Sequence, residues 1–402
     1  MAVILRQVIP DGTQWGEKAN VFPHWLNLEF GQDLIAPGSI KFDYATQGAH
    51  FDELKPGIFI VPEVNGNSSW FDSIFYINQR TGSNTVDSPG TATFSGVSLR
   101  KLLEGIRWMP AIGSTYIDSE GFRYTNASPG DVIKAGVENF WSRAKKRFKD
   151  PVHWIAAVNT SPASKWAYRL DEIIQPTTAV SEIIERYQEL GVATARFYGF
   201  HLNCGHYDWY VNDPIRDKTD SVQLKVGVNL VNADYSESDT ELITALLVKG
   251  APDPFPPEGK ENLQTNTVVW VTASQAVIDK WGYHEGVLEV SDAANPTTLK
   301  AIGTNYINKH LAPRYSASYT MVDNLYDPRT GESLDTPQAL VDFQCGDSIL
   351  VLTERGAIAE KVYAITMSYA NATANPNIGL TLNDYFESWE VKFNQRLRRL
   401  GG

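Results

Sequence analysis

Along Ser39 to Tyr44 the chain alternates Ile40, Phe42 and Tyr44 with Ser39, Lys41 and Asp43. A period of two is that of a strand with one face in a core and one in water. The same reading predicts strands at Val3-Ile4-Leu5, from Phe22 to Phe30, over Ile58 to Val64 and over Thr91 to Val97. Asn65-Gly66 predicts a tight hairpin, because both central residues of the favoured turn take positive φ. Trp70 to Gln79 is therefore expected to pair back on Ile58 to Val64. Ser98 is placed to cap a short helix carrying Leu99 and Leu102. Several antiparallel strands and one helix in this stretch predict a small barrel.

The middle of the chain changes period. Asp131 to Lys149 sets Ile133, Val137, Phe140, Trp141, Ala144 and Phe148 at helical spacing, and Arg143, Lys145, Lys146, Arg147 and Lys149 crowd its end. Those charges complement the helix dipole, which explains the cluster without a phosphate ligand. A second helix is predicted from Thr178 to Leu190, with Gly191 just past its end. Ala193 to Leu202 and Gly205 to Val211 then read as an aromatic hairpin around Asn203-Cys204-Gly205. Helix pair and hairpin together predict an α+β insert.

Strands follow at Ser221 to Tyr235 and Glu241 to Lys249, and a proline-rich linker runs from Gly250 to Lys260. The Val268-Val269-Trp270-Val271 run predicts a buried strand over Asn266 to Thr272. Asn295 to Leu311 reads as a helix with Pro296 at its first position, and Tyr315 to Val322 as a strand. A Gly346-Asp347 turn feeds Ser348 to Thr353. After Gly356 a longer strand, Ala359 to Ser368, returns with Val362, Ala364 and Thr366 on one face and Lys361, Tyr363 and Ile365 on the other. The last predicted helix stacks Trp389, Phe393, Leu397 and Leu400 in one narrow stripe, for packing on its own domain or for docking on a neighbouring subunit.

In this order the elements resemble the baseplate hub, or hub-type minor tail, proteins of long non-contractile-tailed phages. At the C-terminal end the resemblance rests on Gly346-Asp347 with its hairpin, on Pro376-Asn377-Ile378-Gly379 and on the terminal helix. At the N-terminal end it rests on Gly57 to Val61, Trp70, Thr91 to Gly96, and Leu99 with Leu102. Between them it is weaker and rests on Asn229-Leu230 and Thr244 to Gly250.

The resemblance implies a β-rich α+β fold with two similar small antiparallel β-barrels per subunit. Three subunits then form a pseudo-sixfold ring, with α+β inserts attached. It implies a structural virion protein at the tail tip, made in the host cytoplasm, that joins the distal tail ring to the tip. The implied partners are two further copies, the distal tail protein, the tape measure protein and other tail-tip or receptor-binding proteins. DNA would pass through the lumen without specific binding. The expected division is 1–108 for the first barrel, 109–218 for an α+β insert, and 219–260 with 325–384 for the second barrel. A small α+β unit at 261–324 and a terminal helix at 385–402 complete it.

Composition narrows the alternatives. A chain of 402 residues, 43% hydrophobic and 20% charged, is a folded protein of more than one unit. No apolar run reaches the roughly 20 residues of a membrane span, and Met1 to Pro10 lacks the features of a signal peptide. A formal net charge of -12 argues against a partner held through phosphates, whose binding draws on Lys and Arg.

His201, Cys204 and His206 place three zinc-type donors around one turn, but no fourth ligand is evident, so neither metal nor cofactor is expected. No G-x-S-x-G, phosphate loop or H-E-x-x-H occurs, and paired carboxylates such as Glu237 with Asp239 are too common to single out a hydrolase. The protein is expected not to be an enzyme. The competing reading is an adhesion module that stacks cell-envelope glycans on Tyr207, Trp209 and Tyr210.

Overall fold

The structure, a computed structural model, describes residues 3–10, 15–16, 20–34, 36–68, 70, 72–85, 88–98, 101, 104–110, 121–147, 170–189, 195–197, 209–211, 217–238, 242–252, 266–290, 296–311, 314–322, 336–353, 356–372 and 374–382. The fold is β-rich with a few helices. Its first block holds β1 (Val3–Pro10), β2 (Trp15–Gly16), β3 (Val21–Phe22), β4 (Trp25–Asp33), β5 (Ser39–Ala45), β6 (Phe59–Val64), β7 (Phe75–Thr85) and β8 (Ser88–Ser98). The strands run β4-β5-β8-β7-β6-β1, each antiparallel to its neighbours.

β5 shows why: Ile40, Phe42 and Tyr44 are buried while Ser39 and Lys41 face water, as the period of two predicts. Phe42 stacks on Phe94 from β8 with ring centroids 5.3 Å apart. Each such side chain contributes roughly 1.5–3 kcal/mol on burial. The Asn65-Gly66 turn forms with φ of 48° and 79°, but the chain does not return directly. Trp70 instead tucks in, donating its indole N–H to the Pro62 carbonyl at 3.2 Å. Within the named strands β7 meets β6 through Phe59 with Tyr76 and Ile60 with Phe75. The expected long pairing is thus reduced to two rungs. Ser98 ends β8, and the helix expected after it falls on residues mostly outside those described.

An α+β insert follows, with β9 (Phe122–Ala127), α1 (Pro129–Arg147), β10 (Leu170–Ile174), α2 (Val180–Glu189), β11 (Ala195–Phe197) and β12 (Trp209–Val211). Ser128 caps α1: its Oγ accepts the Asp131 N–H at 3.1 Å, and its own N–H donates to the Asp131 carboxylate at 3.3 Å. Pro129 then occupies the first helical position, where its missing N–H costs nothing. The predicted hairpin is present in outline, with Phe197 opposite Trp209 and Ala195 opposite Val211.

The second block begins with β13 (Gln223–Lys225) and β14 (Leu230–Ser238). The single strand expected over Ser221 to Tyr235 is broken by a turn in which Gly227 has φ of 80°. A second insert follows: β15 (Ala245–Pro252), β16 (Asn266–Thr272), α3 (Gln275–Trp281), β17 (Glu285–Glu289) and α4 (Pro296–Lys309). The block resumes with β18 (Arg314–Val322), β19 (Ser348–Thr353), β20 (Gly356–Asn371) and β21 (Asn377–Leu382).

Strands here group differently from the expected division. β15, expected in the second barrel, pairs with β16 and β17, so the proline-rich stretch joins two partners of one sheet instead of separating domains. β18, expected in the small α+β unit, pairs with β14 and β21. β16 is also less covered than its Val-rich text implies. Trp270 and Val268 are each 54% exposed, on the face away from α4, whose Gly303 stands against Val248 and Val271.

The two blocks share one plan. β4-β5-β8-β7-β6 and β14-β18-β21-β20-β19 have the same strand order, and every one of these ladders is antiparallel. The match extends to single residues. Phe30, Ile40, Gly96 and Ile77 form one rung of the first block, and Tyr235, Ala317, Leu382 and Val362 form its counterpart.

At Ile77 the N–H donates to the Ile58 carbonyl at 2.9 Å and the C=O accepts from Gly57 at 2.8 Å. At Val362 the N–H donates to the Asp347 carbonyl at 2.9 Å and the C=O accepts from Gly346 at 2.6 Å. Gly57 and Gly346 have φ of 102° and 81°, a region that side chains disfavour. Immediately after, each ladder slips by one residue, between Ile77 and Gln79 in β7 and between Val362 and Ala364 in β20.

Such a bulge reverses which residues face the core. In β20, Glu360 and Val362 are buried before it, and Ile365, Met367 and Tyr369 after it. The predicted face of Val362, Ala364 and Thr366 is therefore broken at Tyr363. The blocks part company at their last strand, since β1 is antiparallel to β6 whereas β13 is parallel to β19. Among the described residues no ladder closes either block on itself. The two blocks are fused through β4 and β20.

Candidate functional site

The two blocks meet at a junction between β20 and β4. β20 is 16 residues long, and its first part, through Lys361, pairs with β19. From Ala364 to Asn371 it pairs with β4, while β21 holds its other edge. The bulge makes this handover possible. It turns the Tyr363 carbonyl toward β4, where it accepts the Leu34 N–H at 2.8 Å.

Gly31 lies opposite Thr366, and a Cβ there would stand 2.5 Å from the Ile365 carbonyl oxygen. A glycine inside a strand marks such close approach. Next to it, Gln32 is 2% exposed and accepts the Cys345 N–H on its Oε1 at 3.0 Å. Phe30 stacks on Tyr369 at 6.3 Å with planes 3° apart, and Trp25 meets the same ring edge-on at 5.9 Å. A second bridge lies nearby. Asn65 donates to the Gln338 side chain at 2.6 Å and Asn67 to the Leu340 carbonyl at 2.9 Å.

Burial chiefly, then the charges of Asp33, Asp72 and Asp347, push the Cys345 thiol well above its usual range, against a hydrogen bond at the Ile365 backbone that lowers it. It is a neutral packing group, not a nucleophile. Replacing Gln32 by leucine leaves the buried Cys345 N–H without this acceptor. The expected cost is about 1–3 kcal/mol, read as a lower urea midpoint, with Gln32→Glu unable to restore it fully.

Among the described residues, none of those singled out from the sequence for chemistry lies at this junction. His201, Cys204, His206 and Tyr207 lie outside the described residues, as do Trp389, Phe393, Leu397 and Leu400. Trp209 and Tyr210 are placed in β12 by backbone only. Among the described residues no group of three His, Cys, Asp or Glu is arranged to hold a metal, and no helix is long and apolar enough to cross a membrane. The residues that matter here are Gly31, Gln32, Tyr363 and Tyr369, and only Gly31, a glycine between Phe30 and Gln32 in a strand, carries a signal in the text of the sequence.

Two sheet blocks of one strand order, fused edge to edge and carrying α+β inserts, define a fold shared with solved phage tail proteins. The 43 kDa tail protein of prophage MuSo2 from Shewanella oneidensis matches 95% of this chain and 98% of its own, at TM-score 0.56 and 14% identity. A prophage tail protein of Listeria monocytogenes matches over the full length of both chains, at TM-score 0.59 and 12% identity. A tail protein of Neisseria meningitidis matches 95% of this chain and 96% of its own, at TM-score 0.54 and 14% identity. No family profile and no curated protein matches the sequence. The fold thus agrees with the tail-protein resemblance read from the residues.

Proposed function

We propose that this chain is the hub of a phage tail tip, a structural protein without catalysis. Three copies form a ring around the channel that DNA and the tape measure protein occupy, and the ring joins the distal tail protein to the tip. The observation that carries this reading is the doubled sheet block. A chain that joins two like blocks side by side has already built one step of a ring, and closed oligomers arise by repeating a head-to-tail step. In this reading 1–108 and the strands of the second block are the two ring positions, and the α+β inserts project from them. The net charge of -12 fits a wall that phosphates slide past, since affinity for DNA comes from displaced counterions around Lys and Arg.

Mass photometry of the purified protein, followed by negative-stain imaging with its distal tail partner, tests the proposal. Rings of three copies with a central channel are expected. A chain that stays monomeric at every concentration and beside that partner would sink it.

A further inference from the structure

The residue-level match between the blocks carries a prediction about a second copy of this chain. Within the chain, the first strand of block one, β4, lies on the edge of the fourth strand of block two, β20. The counterparts of these strands are β14 and β7. Among the described residues β14 has a ladder only with β18, and β7 has none beyond Ile77 on the edge that β6 leaves. Among the described residues neither edge has a pairing strand. Asn78 to Gly82 are exposed where β7 runs free, and Val231 at the start of β14 is 56% exposed.

We infer that β7 of one copy pairs with β14 of the next, repeating between chains the step that β20 and β4 make within one; the inference rests on the ring reading above. The register follows from the two matched rungs. Gln32 stands two residues past Phe30 and lies opposite Ile365, three residues past Val362. Glu237 stands two residues past Tyr235, and Arg80 three residues past Ile77. Arg80 therefore faces Glu237 of the neighbouring copy, Thr81 faces Ser236, and Gly82 faces Tyr235.

The chemistry at these positions suits an edge that must stay soluble alone and pair when a partner arrives. Where the finished junction has buried Ile365 and Met367, the open edge carries exposed Arg80 and Gly82. A charged edge resists indiscriminate strand addition. An opposite charge directly across the ladder, and an aromatic across from a glycine, favour the one intended partner. Arg80 is already held in place, its guanidinium lying 4.3 Å from the centre of the Phe51 ring. Gln32 in the internal junction is answered by the Cys345 N–H, but the counterpart of Cys345 is Pro56, which has none. In the proposed register Arg80 stands across from position 237, where the internal junction has Ile365 across from Gln32.

The test uses the full chain with charge reversals and a cysteine pair. Arg80→Glu alone and Glu237→Arg alone are each expected to weaken self-association at least about tenfold, and the double reversal to restore it to within about threefold. Thr81→Cys with Ser236→Cys, in a Cys204→Ser, Cys345→Ala background, is expected to give linked dimers and trimers on a non-reducing gel. In one chain the two strands lie seven strand steps apart, so a link between them joins copies. The off-register pair Thr81→Cys with Ala233→Cys should not link. Circular dichroism checks that each variant folds. Oligomers that form without the link and ignore both reversals overturn the strand pairing and leave the ring reading standing. A wild-type chain that never associates overturns both.

Discussion

Replacing Gly31 by valine is expected to cost about 3 kcal/mol or more, because the branched side chain has nowhere to go. Even its first carbon would press to 2.5 Å from the Ile365 carbonyl oxygen, which is fixed backbone in the middle of a ladder. The strands would have to separate, and with them the stack of Phe30 on Tyr369 and the hydrogen bond from Cys345 to Gln32. Overpacking of this kind typically costs 1–3 kcal/mol, and losing neighbouring contacts adds to it. Urea unfolding followed by tryptophan fluorescence measures the loss. Gly105→Ala is the control, since a Cβ there meets open space, and its effect should stay within about 0.5 kcal/mol. Equal midpoints for Gly31→Val and wild type would show that the junction does not hold the blocks together.

The second large effect comes from Glu360, inside the hairpin of β19 and β20. The side chain is 1% exposed, neither carboxylate oxygen has a hydrogen-bond partner among the described residues, and burial raises its pKa from 4.5 to about 7. A carboxyl whose folded pKa lies above its unfolded one binds its proton more tightly in the native state. Its contribution is favourable below pH 4.5 and is lost as the pH climbs through 7. At pH 8.5 the ionised group costs about 3 kcal/mol. Glu360→Gln should therefore be more stable than wild type at pH 8.5 and lose most of that advantage by pH 5. Urea midpoints taken between these limits check it. Parallel pH profiles for the two proteins would mean that the carboxylate is solvated after all.

Much of this fold can be read from local pattern, and the reasons it fails are local too. The alternation of β5 and the helical spacing that buries Ile133 and Val137 in α1 each lie within a few residues, and each appears as predicted. The bulge at Tyr363 leaves no such trace. It inserts one residue of ordinary type into a strand that still reads as continuous, yet it decides which side chains the second half of β20 buries. The run around Trp270 misled for another reason. β-branched and aromatic residues suit any pleated sheet, and only the layer above, which among the described residues is missing on that face, tells burial from exposure. The junction itself joins positions as far apart as Gln32 and Cys345, whose bond spans 313 residues. Nothing near either residue announces the other.

The shared strand β20 also governs how the chain can be divided. A fragment ending before β13 would leave β4 with a bare flank from Leu26 to Asp33, and Trp25 and Phe30 without the ring they lean on. Cutting at the boundary that looks natural on paper therefore strips a finished seam and offers an adhesive one. Separate expression of the halves works only if both are supplied to the same refolding mixture, where each becomes the other's missing lining.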